Sequence, residues 1–344
     1  MLVSLLTSGP PEQVTGGYLY HLRMAELAPQ AGARVEFVPV QPGRDPLTRA
    51  GGEVVLVDSI CAALVAPWAA RAGRRPLAAI LHQPPGGIDH GPFRRGTQAL
   101  LDRRLYRRCS LLVAASEALR DQVVAPPHRL PADRLRVIVP GSDVSGPVNG
   151  PIADLRQGRR VAFVSVGNWV ARKGTLELLD AFARLAGDRA TLHLAGREDA
   201  EPRYGARVRA RLARPDLADR VVRHGVVSRE AVARLYAGAD AFVLPSHREP
   251  YGTVYGEAMA SGLPVVGWRA GNLPFLARHG EEGVVLEPGD VPALAAALDR
   301  LAVDEPWRRA LAAGAARRGA ALPTWSETAA ALFGALRELA AGAR

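Results

Sequence analysis

A chain of 344 residues is too long for one ordinary core and about right for two domains. Its 48% hydrophobic and 6% aromatic content suits an Ala/Leu/Val-rich α/β protein, and no apolar stretch approaches the ~20 residues of a membrane span. The net charge of +10 is shared evenly, with 17 arginines against 12 acids in residues 1–150 and 27 cations against 22 acids beyond, which argues against a basic nucleic-acid-binding tail.

The apolar run Met1–Leu6 has no basic leading region and stops at Gly9-Pro10, so it predicts a first strand and not a signal peptide. Strands are then expected near 34–40, 53–57, 77–82, 110–114 and 135–139, with helices near 17–29, 60–72, 97–108 and 116–124. The turn-rich stretch Pro140–Pro151 reads as a linker. A second series follows, with strands near 160–166, 190–195, 220–224, 240–244, 263–267 and 283–286, each leading into a helical segment. Such alternation is the signature of parallel βαβ units. The predicted fold class is therefore α/β, with two doubly wound domains, 1–148 and 149–323, and a ligand cleft at the carboxyl ends of their strands.

Two cysteines, Cys61 and Cys109, sit far apart in apolar contexts without metal-like spacing, and read as buried thiols of a reducing, cytoplasmic compartment. Arginines cluster at 94, 95, 103, 104, 107 and 108, with Asp102 the only acid among them. On a helix, 103, 104, 107 and 108 share a face flanked by Leu100, Leu101 and Leu105. That face suits open solvent, or an anionic partner such as lipid headgroups or an anionic acceptor.

Of the 44 cationic Lys/Arg side chains only Lys173 is a lysine. In an Arg-rich composition the exception stands out, because a compact ammonium fits a phosphate oxygen in a tight pocket better than a planar fork does. Lys173 ends the segment Gly167-Asn168-Trp169-Val170-Ala171-Arg172-Lys173-Gly174, between the strand-like run Val161–Val166 and a helical run. Anions bind at such crossings in open α/β sheets. A second constellation runs from Pro245 to Val266. A strand enters a loop holding Glu249 and Tyr251, Gly252 permits close backbone approach, and a helix starting near Thr253-Val254 carries Glu257. The two carboxylates cannot share one helical face, but both suit a hydroxyl-rich ligand, and the free amides at the helix start form a nest for phosphate. Taken singly, each glutamate is equally at home as a solvated charge.

Two glutamates eight residues apart in this setting, followed by Ala258-Met259-Ala260-Ser261-Gly262-Leu263-Pro264-Val265, resemble the signature of the family-four retaining glycosyltransferases, group 1, of the GT-B fold. The resemblance covers most of the chain. It implies two Rossmann-like domains facing a central cleft, with a last helix, about 324–344 and opened by Trp325, returning to the first domain. It also implies that Glu249 contacts hydroxyls of the transferred sugar, that Glu257 holds the nucleotide ribose, and that Lys173 binds the donor diphosphate. Gly16-Gly17 matches the family's N-terminal glycine loop near donor phosphate and acceptor. His82, at a strand end before Gln83-Pro84-Pro85, matches the histidine that faces the anomeric carbon; a lone strand-end histidine is otherwise commonly structural. Two positions depart: Asn168 stands where the family has arginine, so that either Arg172 compensates in part or neutralisation of the diphosphate rests more heavily on Lys173 and backbone amides, and Phe275 stands where it commonly has an acid.

The expected activity is transfer of a sugar from a nucleoside-diphosphate sugar to a hydroxyl acceptor (a glycan, a lipid-linked or a small molecule) with retention, and with neither cofactor nor metal, since no Asp-x-Asp motif is present. No nucleic-acid partner is expected. A peripheral membrane contact and the oligomeric state stay open. Rival readings are a nucleotide-sugar epimerase or phosphorylase on the same fold, a non-catalytic sugar-nucleotide-binding protein, and a dinucleotide oxidoreductase, the last weakened by the absence of Gly-x-Gly-x-x-Gly after either first strand.

Overall fold

The computed structural model describes residues 1–8, 16–88, 91–142 and 152–342, so the linker predicted over 140–151 lies for the most part outside the described residues. The chain divides into two compact units, Met1–Gly141 with Pro323–Arg344, and Ser142–Leu322. Unit 1 runs β1 (Leu2–Thr7), α1 (Gly16–Leu27), β2 (Arg34–Pro39), β3 (Val54–Asp58), α2 (Ala62–Val65), β4 (Leu77–Leu81), α3 (Pro92–Tyr106), β5 (Leu111–Ala114), α4 (Glu117–Val124) and β6 (Leu135–Val137). Unit 2 runs β7 (Val161–Val166), α5 (Thr175–Phe182), β8 (Ala190–Ala195), α6 (Pro202–Leu212), β9 (Val221–Gly225), α7 (Arg229–Gly238), β10 (Ala241–Val243), α8 (Thr253–Ala260), β11 (Val265–Trp268), α9 (Leu273–Leu276), β12 (Gly283–Leu286), α10 (Val291–Val303) and α11 (Glu305–Ala320). The last helix, α12 (Trp325–Gly342), packs within unit 1.

Each unit holds a six-stranded, all-parallel sheet, ordered β2-β1-β3-β4-β5-β6 in unit 1 and β12-β11-β10-β7-β8-β9 in unit 2. The central strands β3, β4, β5, β7 and β8 are near-continuous apolar runs because helices cover both of their faces. Edge strand β2 alternates instead between exposed and partly buried positions. In unit 1, α1 and α12 bring Tyr20, Met24, Trp325 and Phe333 to one face, while α2 and α3 bring Val65 and Tyr106 to the other. Both cysteines are free thiols buried on that second face, as their apolar contexts predict. In unit 2 the two faces are filled from α5 and α10 (Leu178, Phe182, Leu298) and from α7, α8 and α11 (Tyr236, Met259, Ala315).

The helix expected over 60–72 is broken. Only Ala62–Val65 is α-helical, flanked by tight 3₁₀ turns at Ser59–Cys61 and Ala66–Ala72. Pro67, in the first turn of the second 3₁₀ segment, has no N–H to give and crowds the carbonyl four residues back, so one α run cannot pass through it. Helix α3 starts five residues before its expected position, at Pro92 behind Gly91, because proline's fixed φ suits a first helical turn.

Strand order reverses between β1 and β3 in unit 1 and between β7 and β10 in unit 2. Loops leaving the carboxyl ends of strands on either side of such a reversal diverge and open a crevice, the preferred ligand position in doubly wound sheets.

Candidate functional site

At the reversal in unit 2, the loop after β7 carries Asn168, Arg172 and Lys173, and the loop after β10 carries His247, Glu249 and Tyr251. The two loops are bound to each other. Ser246 Oγ and His247 N both donate to the Arg172 carbonyl, at 3.1 and 2.8 Å. The Arg172 guanidinium donates to the Arg248 carbonyl at 3.0 Å, and His247 Nε2 lies 2.8 Å from a carboxylate oxygen of Glu177 in the first turn of α5. On this base the Lys173 ammonium pairs with the Glu249 carboxylate, the two side chains being only 12% and 13% exposed, and Arg172 Nη1 stands 3.8 Å from the same carboxylate. Gly174 closes the loop with φ +69°, where a Cβ would lie 2.1 Å from the Pro245 carbonyl oxygen, so neither a side chain nor its preferred backbone fits there.

Gly252, with φ +81°, turns the second loop into α8 and leaves its N-terminus without a side-chain cap. First-turn amides, those of Thr253 and Val254 among them, are therefore available to an anion. Glu257 is no solvated helix residue: it is 8% exposed and accepts a long 3.5 Å hydrogen bond from the Tyr236 hydroxyl. Burial, then the charge of Glu257, push that hydroxyl well above its usual range, which keeps it a proton donor. Asn168 also has a structural task, because its Oδ1 accepts from the Arg197 amide at 3.0 Å and ties the β7 loop to the end of β8.

Several supporting residues escaped the sequence reading. Asn272, 2% exposed, donates from Nδ2 to the Tyr251 carbonyl at 2.9 Å, and its amide donates to the Glu249 carbonyl at 2.9 Å. The segment that drew notice for Phe275, which is 45% exposed, thus holds the Glu249 loop through its asparagine. Glu201, in the loop after β8, accepts from the Ala171 amide at 2.9 Å and props the Lys173 turn. Ser246, His247 and Glu177 were likewise missed; a polar Pro-Ser-His run leaving a buried strand was the only signal.

At the reversal in unit 1 the strand ends carry Thr7 and Asp58, and His82 follows β4. Asp58 is buried, accepts from Thr7 Oγ1 at 3.1 Å and from the Ile60 amide at 3.1 Å, and lies 2.9 Å from His21 Nε2. Burial raises its carboxyl, but the charge and hydrogen bond of His21, the His82 ring and the Ile60 amide outweigh that and hold it at about 2. His82 is part-buried, edge-on to Tyr20 and His21 at centroid distances of 5.3 and 5.0 Å, and its Nε2 is sealed from solvent with no hydrogen-bond partner among the described residues. Burial first, and then the charge of His21, bring its pKa down to about 4, so it is a neutral imidazole near pH 7. Gly17 backs onto this ring, a Cβ there lying 3.3 Å from His82 Cδ2, while Gly16 starts α1 beside it. His21, Asp58 and His82 hold their ligand-type atoms within 4.8 Å of one another. His21 and Asp58, however, satisfy each other by direct hydrogen bonding.

Residues 160–304, which include Lys173, Glu249 and Glu257, match the family described as Glycosyl transferases group 1. The match lies within unit 2, which over that stretch is similar to the family. A 229-residue stretch is 30% identical to the D-inositol 3-phosphate glycosyltransferase of Acidothermus cellulolyticus, covering 62% of this chain and 50% of that protein. The matched stretches span between 22% and 50% of the D-inositol 3-phosphate glycosyltransferases compared, so the chain aligns with half their length or less. The whole fold is shared with solved structures. Sucrose-phosphate synthase from Thermosynechococcus elongatus superposes with a TM-score of 0.83 at 22% identity, covering 99% of both chains. Anabaena HepE in complex with UDP-glucose gives 0.82 at 21% identity, covering 98% of this chain and 99% of that one. At those identities the likeness establishes the fold, two Rossmann-like parallel-sheet units of the GT-B type, and nothing finer. Among the described residues, no helix is long and apolar enough to cross a membrane.

Proposed function

We propose that the protein is a retaining glycosyltransferase that moves a sugar from a nucleoside-diphosphate sugar to a hydroxyl acceptor without a metal ion. The observation that carries this reading is the Lys173–Glu249 pair at the unit 2 reversal, beside the uncapped N-terminus of α8. A diphosphate placed there takes over the counter-ion role of Glu249, meeting Lys173, Arg172 and the α8 amides. Glu249, released from the ammonium, then accepts hydrogen bonds from sugar hydroxyls, and the buried Glu257 accepts from the ribose. Negative charge develops on the departing diphosphate as the bond from C1 to the phosphate oxygen breaks, and Lys173 and the amides stabilise it there. The acceptor oxygen bonds to C1 on the same face and its proton passes to the leaving phosphate oxygen. HepE, a structural relative holding UDP-glucose, makes UDP-sugars the first donors to try.

The test is metal-free incubation with UDP-glucose and a panel of hydroxyl acceptors, following UDP release and the anomeric configuration of the product. The expected result is acceptor-dependent release with retention, lost by about 10²–10³-fold in Lys173→Ala. Conversion of the donor sugar without acceptor would make the protein an epimerase, and full activity in Lys173→Ala would remove the diphosphate assignment.

A further inference from the structure

Helix α3 is anchored on one side only. Ala99, Asp102, Leu105 and Tyr106 are buried, the Asp102 carboxylate accepts from the Gly86 amide at 2.8 Å, and Arg103 donates to the carbonyls of Ala99 and Pro127 at 3.1 and 2.7 Å. The opposite side presents Phe93, Leu100 and Leu101, 87%, 62% and 41% exposed, together with Arg104, Arg107 and Arg108. With 3.6 residues per turn Phe93, Leu100, Leu101 and Arg104 fall within an arc of about 100°, and Arg107 and Arg108 follow directly on the last helical residue, Tyr106, and not on the helix as the expected range to 108 had them. The three arginine side chains are exposed and make no hydrogen bond or ion pair with any described residue. Three of the eight large exposed hydrophobic residues of the described chain therefore lie on one face of a single helix, interleaved with unpaired cations.

We propose that this face of α3 is a docking surface for an anionic bilayer, with Phe93, Leu100 and Leu101 entering the headgroup boundary and the arginines meeting lipid phosphates. Charge complementarity decides the occupant. A second copy of the chain would set arginines against arginines, at a cost that the small apolar area does not offset. A nucleic acid would use the cations but leave an exposed phenylalanine and two leucines with nothing to contact. A bilayer surface uses both, since apolar side chains at the acyl boundary and arginines at headgroup level are what hold an interfacial helix. Arg103 is not part of the surface, because its guanidinium is tied to the Pro127 carbonyl. The assignment is independent of the transferase reading.

The experiment is co-sedimentation of the full chain with phosphatidylcholine vesicles and with vesicles that also contain phosphatidylglycerol. Wild type should pellet with the anionic vesicles, about tenfold more than with the neutral ones, and high salt should release it. The pairs Phe93→Ser with Leu100→Ser, and Arg104→Ser with Arg108→Ser, should each lower the partition about tenfold while leaving the melting temperature unchanged. As a readout that does not depend on the losses, Phe93→Trp should shift its emission to the blue on adding anionic vesicles. No pelleting of wild type at low salt, undiminished pelleting of either double variant, or no shift in Phe93→Trp would overturn the proposal. So would binding to a soluble acidic protein or a free polyanion that matches the vesicles, because such a ligand needs no apolar face.

Discussion

The two strand-order reversals place opposite kinds of chemistry at equivalent positions. In unit 2 the strand ends give way to loops whose ionic side chains, Lys173 and Glu249, meet at the surface of the sheet and stay partly accessible. In unit 1 the strand ends hold Asp58 and Thr7 in the interior, with His21 and His82 closing over them. The difference follows from the connections. Gly174 and Gly252 let the unit 2 loops turn sharply and bind each other through main-chain carbonyls, so the Lys173 and Glu249 side chains are free to meet each other near the surface. The unit 1 groups are directed at one another, and His82 Nε2 is left without a partner among the described residues. A charge pair that a ligand can open marks a binding site, whereas a closed polar cluster sets the shape and protonation of a neighbouring group.

That contrast can be tested by breaking each side. The largest effect on stability is expected from Asp58→Ala, which strands His21 in the core; a loss of about 3–5 kcal/mol should appear in denaturant unfolding. A cost below about 1 kcal/mol would mean that the unit 1 cluster is as adaptable as the unit 2 pair.

Acid should act on unit 1 in a defined direction. The His82 pKa is about 4 in the folded chain against an ordinary 6.5, so between those values the unfolded chain binds more protons. The stabilisation from neutral His82 is complete above pH 6.5 and fades as pH falls toward 4, by at most about 3 kcal/mol. Asp58, held at about 2 against 3.8, loses its contribution lower still, as pH falls from 3.8 through 2. Unfolding free energies measured from pH 7 to 4 should therefore slope downward in wild type and less steeply in His82→Gln. Equal slopes would contradict the buried placement of the ring.

Smaller effects should come from unit 2. Gly252→Ala combines a left-handed backbone with a Cβ 2.7 Å from Tyr255 Cδ2, and should cost about 1–3 kcal/mol in thermal unfolding while disturbing the first turn of α8. Glu249→Gln removes the carboxylate that competes for Lys173. It should tighten binding of a nucleoside diphosphate by about threefold, roughly 0.7 kcal/mol, while lowering sugar transfer. Weakened binding in that variant would mean that Glu249 helps hold the diphosphate itself.

The sheets were legible because buried parallel strands are short apolar runs between turn formers. The strands expected at 190–195 and 283–286 match β8 and β12 residue for residue, and the others differ by one or two positions at one or both ends. Pro67 and Pro92 carried the signals for the broken helix and for the early start of α3, but the apolar periodicity masked them. Lys173, Glu249 and Glu257 could be singled out because their chemistry lies in local spacing. The supporting residues could not. Asp58 reaches His21 across 37 positions, and Ser246 reaches Arg172 across 74, so no window of sequence contains both partners. Only the sheet order, which brings β7 beside β10 and β1 beside β3, joins them.

The central claim is that unit 2 receives a donor diphosphate through Lys173. The most direct measurement is a calorimetric titration of UDP and GDP, without metal, into wild type, Lys173→Ala and Lys173→Arg. The account predicts binding of one nucleoside diphosphate to wild type, a loss of at least about tenfold with alanine, and a clear loss with arginine, whose planar fork does not fit the space held by the ammonium. Equal affinities in all three proteins would contradict it.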